Sequence, residues 1–378
     1  MGYAMVTQGQ QEKIQMSMDR LFGISHHLKT EPGPKGFMRV TQGAPLEIDL
    51  GFKSLQEAYV NCSGDYDLRM FGKRATQIFN DASFESIVAN SLNKLLLRDF
   101  ATNYRWQDIV SSITRVDNFH PANRPRVRYV ADLPDIGDDG VYEEADVSGD
   151  EQVTYSVTQR GARLTITRRA LINDDVGGIT RTVEQLGRAA FRTLAKRVWN
   201  KVIENDPYSV DGLDMFHADH GNLGSAGLSP AALTAARAAI FAQTEPGSNE
   251  RLGLSGPFLL VIPIELEPVA LPINTSMVAP GTATDPNPWY ERFGENSERI
   301  FTNPLCADAN DWYLFDVSGN AGIIEVGFLM GKQTPEMILA NAERVGEMMD
   351  QDRIIYKIRH EFEACILDYR AAYKAVVS

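Results

Sequence analysis

The chain has 378 residues, of which 43% are hydrophobic, 23% charged and 9% aromatic, enough for a buried core and long enough for more than one lobe. Its 37 Lys plus Arg against 50 Asp plus Glu give a formal net charge of −13, which disfavours tight wrapping of nucleic acid, where many cations must displace counterions. No stretch approaches the roughly 18 continuous apolar residues of a membrane span and Met1 to Gln15 lack the apolar centre of a signal peptide, so a soluble protein made inside a cell is expected. Along the chain, EKIQMSMDRL (12–21) predicts a short helix, Pro32, Gly33, Pro34 and Gly36 break regular structure, and SLQEAYV (54–60) resumes a helical pattern. Residues 1–80 therefore read as an extension with little core of its own.

Residues 80–104 predict a helix, with Asp81 or Ser83 as cap and Phe84, Ile87, Val88, Leu92, Leu95 and Leu96 at spacings of three and four. Ile109, Ile113 and Val116 mark a strand. Residues 117–169 are unusual. Arg124, Arg126 and Arg128 precede nine acids between 132 and 151 with no Lys or Arg among them, after which VTYSVTQRGARLTITRRA alternates with period two. That pattern predicts a long β-hairpin with an acidic, turn-rich middle. Its tip has few apolar residues, so it is expected to lie on a neighbour. The strongest helix is 179–205, where Ile179, Val183, Leu186, Ala190, Leu194, Val198 and Val202 form one stripe and Arg181, Glu184, Arg188, Arg192 and Lys196 lie largely off it. At about 1.5 Å per residue it spans about 40 Å. Pro207 ends it.

Further on, Ser229 and Pro230 open a helix through AALTAARAAIFAQ. PFLLVIP (257–263), WYLF (312–315) and IIEVGFL (323–329) predict buried strands, 279–288 a loop, and 352–376 one or two closing strands. No internal repeat is present.

Few constellations suggest chemistry. FHADH offers His217, Asp219 and His220 as a metal candidate for a hydrolase, but Gly221 and Asn222 mark a loop, and a turn with hydrogen-bonded histidines is the preferred reading. Asn173, Asp174 and Asp175 precede the long helix, where carboxylates cap free amides. Ser255 precedes a strand, whereas a nucleophile elbow follows one, and no phosphate-binding glycine loop is found. The spacing of acids 132–151 matches no EF-hand. Cys62, Cys306 and Cys365 are odd in number and far apart, against a disulfide framework or zinc site. No catalytic, cofactor-binding or metal residue is assigned.

Longer stretches carry a resemblance. ITRRALINDDVGGITRTVEQLGRAAFRTLAKRVWNKVIENDP, MFHADHGNL, LSPAALTAARAAIFAQT, FLLVIPIELEPVA, NPWYERF, NPLC before WYLF, and YKIRHEFEACILDYRAAYK resemble, in order over about residues 75–378, the major capsid protein of Mu-like and related tailed phages. In relatives the capsid domain often follows a prohead protease, and LFGI (21–24) and SLQEAYVNCSGD (54–65) resemble the joining segment. The protease itself has no counterpart in this sequence, so no protease activity is implied.

The resemblance implies an α+β chain of the Hong Kong 97-type phage capsid fold. Residues 1–80 would be an N-terminal extension, 81–116 the N-arm, 117–169 the E-loop hairpin, 170–205 with 335–378 a peripheral domain carrying the long spine helix, and 206–334 the axial domain. It implies self-assembly into pentamers and hexamers of an icosahedral shell, non-specific contact with packaged double-stranded DNA, possible contacts with a prohead protease, portal and decoration proteins, no membrane, and a place in the virion after assembly in the host bacterial cytoplasm. Residues 117–169 contain no lysine, so the Lys–Asn crosslink of some such shells is not available through this loop. The hairpin acids Asp135, Asp138, Asp139, Glu143 and Glu144 are expected to dock on basic surface of an adjacent copy, with Arg188 and Arg192 of the long helix as candidates. An encapsulin-like compartment for protein cargo is the alternative with the same fold.

Overall fold

A computed structural model describes residues 8–32, 38–46, 51–63, 84–98, 105–126, 151–173, 175–245, 249–282, 284–319, 321–339 and 353–377, with 100 and 140. The chain begins with helix α1 (Gln8–Leu21), an antiparallel hairpin of β1 (His26–Pro32) and β2 (Met38–Pro45), and helix α2 (Leu55–Ser63). Ser54 starts α2 much as a capping box does: its Oγ accepts from the Glu57 amide, and the Glu57 carboxylate accepts from the Lys53 amide. Next come α3 (Phe84–Arg98), β3 (Val110–Val116), β4 (Ala122–Arg126), β5 (Glu151–Tyr155), β6 (Thr158–Thr167), the short α4 (Arg168–Ile172) and the 28-residue α5 (Val176–Ile203). The chain continues through β7 (Leu223–Gly224), α6 (Pro230–Phe241), β8 (Phe258–Ile262), α7 (Glu267–Thr275), β9 (Ile300–Thr302) and β10 (Trp312–Asp316). It closes with β11 (Ile324–Leu329), β12 (Glu336–Leu339), β13 (Arg353–Ile366) and β14 (Ala372–Ala375). The class is α+β, as expected.

Helix α5 has the caps its sequence requires. Asp175 Oδ1 accepts from the Gly178 amide at 3.0 Å, and a side chain at 178 would meet that carboxylate at 2.5 Å, so glycine keeps the cap intact. At the far end Asn205 takes φ 56°. The Asp206 amide reaches Lys201 O and the Asn205 amide reaches Val202 O, a Schellman closure with asparagine in the left-handed position. The helix thus stops at Ile203, ahead of Pro207.

The chain divides into two compact units, and α5 and β13 each supply residues to both. The first unit comprises Met1–Asn103, Thr158–Thr193 and Lys332–Phe362. Its core joins Met18, Phe22 and Ile24 to Leu55 and Tyr59 of α2, to Leu92, Leu95 and Leu96 of α3, and to Leu164, Val183 and Tyr356. Every large apolar side chain so buried contributes about 1.5–3 kcal/mol. The N-terminal segment, expected to have little core of its own, shares this core with later segments: α1 packs on α3 and buries a polar node with it. Asp19 accepts from Lys94 Nζ at 2.5 Å, Ser91 Oγ at 2.7 Å and Gln15 Nε2 at 3.0 Å, so its buried carboxylate is paired and hydrogen-bonded. The region between 117 and 169 is also not one continuous hairpin. Among its described residues β4 and β5 pair with each other, whereas β6 pairs antiparallel with β13 from Thr158↔Phe362 to Thr167↔Arg353. Gly161 permits that pairing, since a Cβ there would lie 2.2 Å from Ile358 O.

The second unit comprises Tyr104–Val157, Leu194–Gly331 and Glu363–Ser378. Its main sheet runs β7-β14-β10-β8-β9, with β8 and β10 buried along their full length as their continuous apolar runs predict. Helix α6 packs on β10 and β14, and α7 beside β9. Strand β14 lies between β7 and β10, so the C-terminal residues complete the sheet built from 206–334. Strand β11 pairs in parallel with β3, and Trp289, Trp312, Phe293 and Phe315 are fully buried.

Candidate assembly interface

The two-stranded ribbon of β4 and β5 pairs Ala122↔Tyr155, Arg124↔Val153 and Arg126↔Glu151. An isolated two-stranded ribbon is marginal in water; this one is rooted in the second unit by alternate residues. Val153, Tyr155 and Val157 are buried, the period-two face of a strand.

A carboxylate holds the root. Glu325, 5% exposed, interrupts the otherwise apolar strand β11. Its Oε1 accepts from Tyr155 Oη at 2.6 Å and Arg124 Nε at 2.8 Å, and its Oε2 from Ser112 Oγ at 3.0 Å. One residue therefore grips both strands of the ribbon. Two places along β11, a Cβ at Gly327 would come within 2.5 Å of Tyr155 Oη, so glycine leaves room for the phenol. Burial first, then the hydrogen bond to Glu325, pushes the Tyr155 pKa well up. Burial is the largest influence on Arg124 and acts to lower its pKa, but the charge and hydrogen bond of Glu325 outweigh it and the net shift is upward. Both groups are thus held in their donor forms, as a buried anion needs.

A second node lies at the start of β5. Arg370 faces Glu151 at 3.5 Å and donates to Asp368 Oδ1 at 3.1 Å, while its guanidinium lies 4.6 Å from the Tyr369 ring centroid. Desolvation works against the cation, yet Asp368, Tyr369, Glu151 and Tyr208 raise its pKa overall.

Arg188 and Arg192, nominated from the sequence, are exposed on α5. The acids nominated to meet them, Asp135, Asp138, Asp139, Glu143 and Glu144, lie outside the described residues, as does the predicted cap at Asp81 or Ser83. Sequence reasoning missed Glu325; the signal was a single acid inside the apolar run IIEVGFL, which demands a buried partner.

The FHADH turn is occupied with its own hydrogen bonds. His220 Nε2 lies 2.9 Å from Asp211 Oδ2 and Nδ1 3.2 Å from Met215 O, and the ring stacks on Tyr369 at 3.7 Å. His217 Nδ1 accepts from the Asp219 amide. Among the described residues no group of three or more His, Cys, Asp or Glu side chains is placed to hold a metal ion. Burial pushes the thiols of Cys306 and Cys365 up to about 12, so neither is a ready thiolate. No described helix is long and apolar enough to cross a membrane.

The profile of a family described as phage capsid protein matches residues 150–375. In structure the chain is similar to a virus-like particle from Pyrococcus furiosus (14% identity over 76% of this chain and 98% of that one, TM-score 0.42). It is also similar to a chain of Mycobacterium phage Patience (10% identity, 79% and 89%, TM-score 0.46) and to one of the procapsid of bacteriophage JBD30 (14% identity, 76% and 74%, TM-score 0.37). No curated protein matches the sequence.

Proposed function

This chain belongs to the phage capsid protein family, a family of structural proteins, and from that premise we propose that it is the major head protein of a tailed phage. In this reading it has the Hong Kong 97-type parts, and its copies form pentamers and hexamers that close into an icosahedral shell around double-stranded DNA. The shell is assembled in the host cytoplasm, touches DNA without sequence preference, and meets protease, portal and decoration proteins during its assembly. Its work is geometric, with no bond made or broken.

Beside the family match, the observation that carries this reading is the ribbon root. Both strands are tied to Glu325, and the sequence between them, 127–150, holds eight acids against one arginine. Fixing both strands at the root removes part of the conformational freedom that docking would otherwise cost. Acidic residues there would set register on basic surface of a neighbour more than they add affinity, with Arg188 and Arg192 as nominated contacts. Deleting residues 135–148 tests this. A folded subunit that fails to form particles is expected, and normal particles from the deletion would refute the docking role.

A further inference from the structure

Two exposed apolar surfaces of the second unit lie at opposite edges of its main sheet. At the β9 edge, α7 buries Ala270, Ile273 and Asn274 and turns its other side outward. Ile264 is 62% exposed and Met277 70%, with Leu271 exposed between them. A helix normally puts its apolar stripe inward; this one carries apolar side chains on both sides. The sequence around it is net acidic: residues 257–299 contain Glu265, Glu267, Asp285, Glu291, Glu295 and Glu298 against Arg292 and Arg299.

At the other edge are Leu223 on β7 and Phe241 at the end of α6, 44% exposed. Arg251 lies 5.5 Å from the Phe241 ring centroid and donates to Phe241 O, and Arg237 stands one turn earlier on α6. Glu250 is the neighbouring acid in sequence. Helix α6 separates the two surfaces. Its first turn is held by Trp289 Nε1 through Pro230 O, and Asn287 ties that loop to Ile273 O of α7. Beyond its last turn, Gln243 donates to His220 O beside β7.

We propose that these surfaces meet head to tail between neighbouring copies: the α7 ledge of one subunit, with Ile264, Leu271, Met277 and Glu265, docks on the Phe241–Arg251 pad of the next. The occupant is a second copy of this chain. Different surfaces at opposite edges of one sheet give a heterologous contact, which closes into a ring when the rotation permits, and the arginine over Phe241 offers a cation to the net acidic ledge. This inference rests on the shell reading and adds to it the contact that makes the ring.

Charge exchange tests it. E265R and R251E, each alone, should reduce the fraction of protein in rings and shells by about tenfold or more, because like charges then face each other across the contact. The double variant E265R/R251E should recover it. Circular dichroism and thermal melting confirm that each variant is folded, and electron microscopy with mass photometry counts the assemblies. Single variants that assemble like the parent, or a folded double variant that stays unassembled, would overturn the contact. In either case the shell reading stands as long as the parent makes shells. A parent that forms rings sensitive to both single changes but never closes a shell would sink the shell reading and leave the ring contact in place.

Discussion

The ribbon root and the α7 ledge belong to the same unit and treat apolar side chains in opposite ways. At the root, Val153, Tyr155 and Val157 point inward over a buried carboxylate with three donors. At the ledge, Ile264 and Met277 point outward. The polar groups of the root are satisfied by its own chain. The ledge leaves apolar surface that no described residue covers. In the proposed reading, folding and association are assigned to separate residues, so the two can be damaged independently.

The largest stability effect is expected at the root. E325A leaves Arg124 without its anion and Tyr155 without its acceptor, and should cost about 3–5 kcal/mol in urea unfolding; a loss below about 1 kcal/mol would show that the root is not held by this group. The first unit supplies a contrast in His360, a buried group that burial keeps neutral. His360 sits between Phe100 and Phe362 and across the β6–β13 register from Arg160, and burial holds its pKa down at about 4. A lowered histidine pKa means that the unfolded chain takes up the proton first. This contribution is therefore complete above about pH 6.5 and is lost as pH falls toward 4, by about 3 kcal/mol in all. Melting of the parent and H360Q across that window isolates the effect, and identical pH profiles would contradict it. Y155F returns to the root with a smaller change, removing one of three donors to Glu325, at about 1–3 kcal/mol. Smallest is M277S at the ledge, expected within about 0.5 kcal/mol of the parent in stability while reducing assembly; a clear loss of stability would mean that the ledge serves its own fold.

Local patterns were legible from the residues. The stripe from Ile179 to Val202 predicts α5, Asp175 its cap, Ser229 and Pro230 the start of α6, and FLLVI and WYLF the buried strands β8 and β10. Pairings between distant segments were not. VTYSVTQRGARLTITRRA alternates throughout, and nothing within it announces that Val157 ends the ribbon face while Thr158 to Thr167 turn to β13, about 200 residues later in sequence. The apolar residues of 1–63 are too sparse to suggest a core because their partners lie on α3, β6 and β13. The acid in IIEVGFL signals a buried hub, but Arg124 and Tyr155 as its partners follow only from the fold.

Electron microscopy of the purified, full-length protein over a range of concentrations tests the central claim most directly. Closed hollow shells built from rings of subunits are the predicted result. A uniform population of single subunits at every concentration, with no ring or shell, would contradict it.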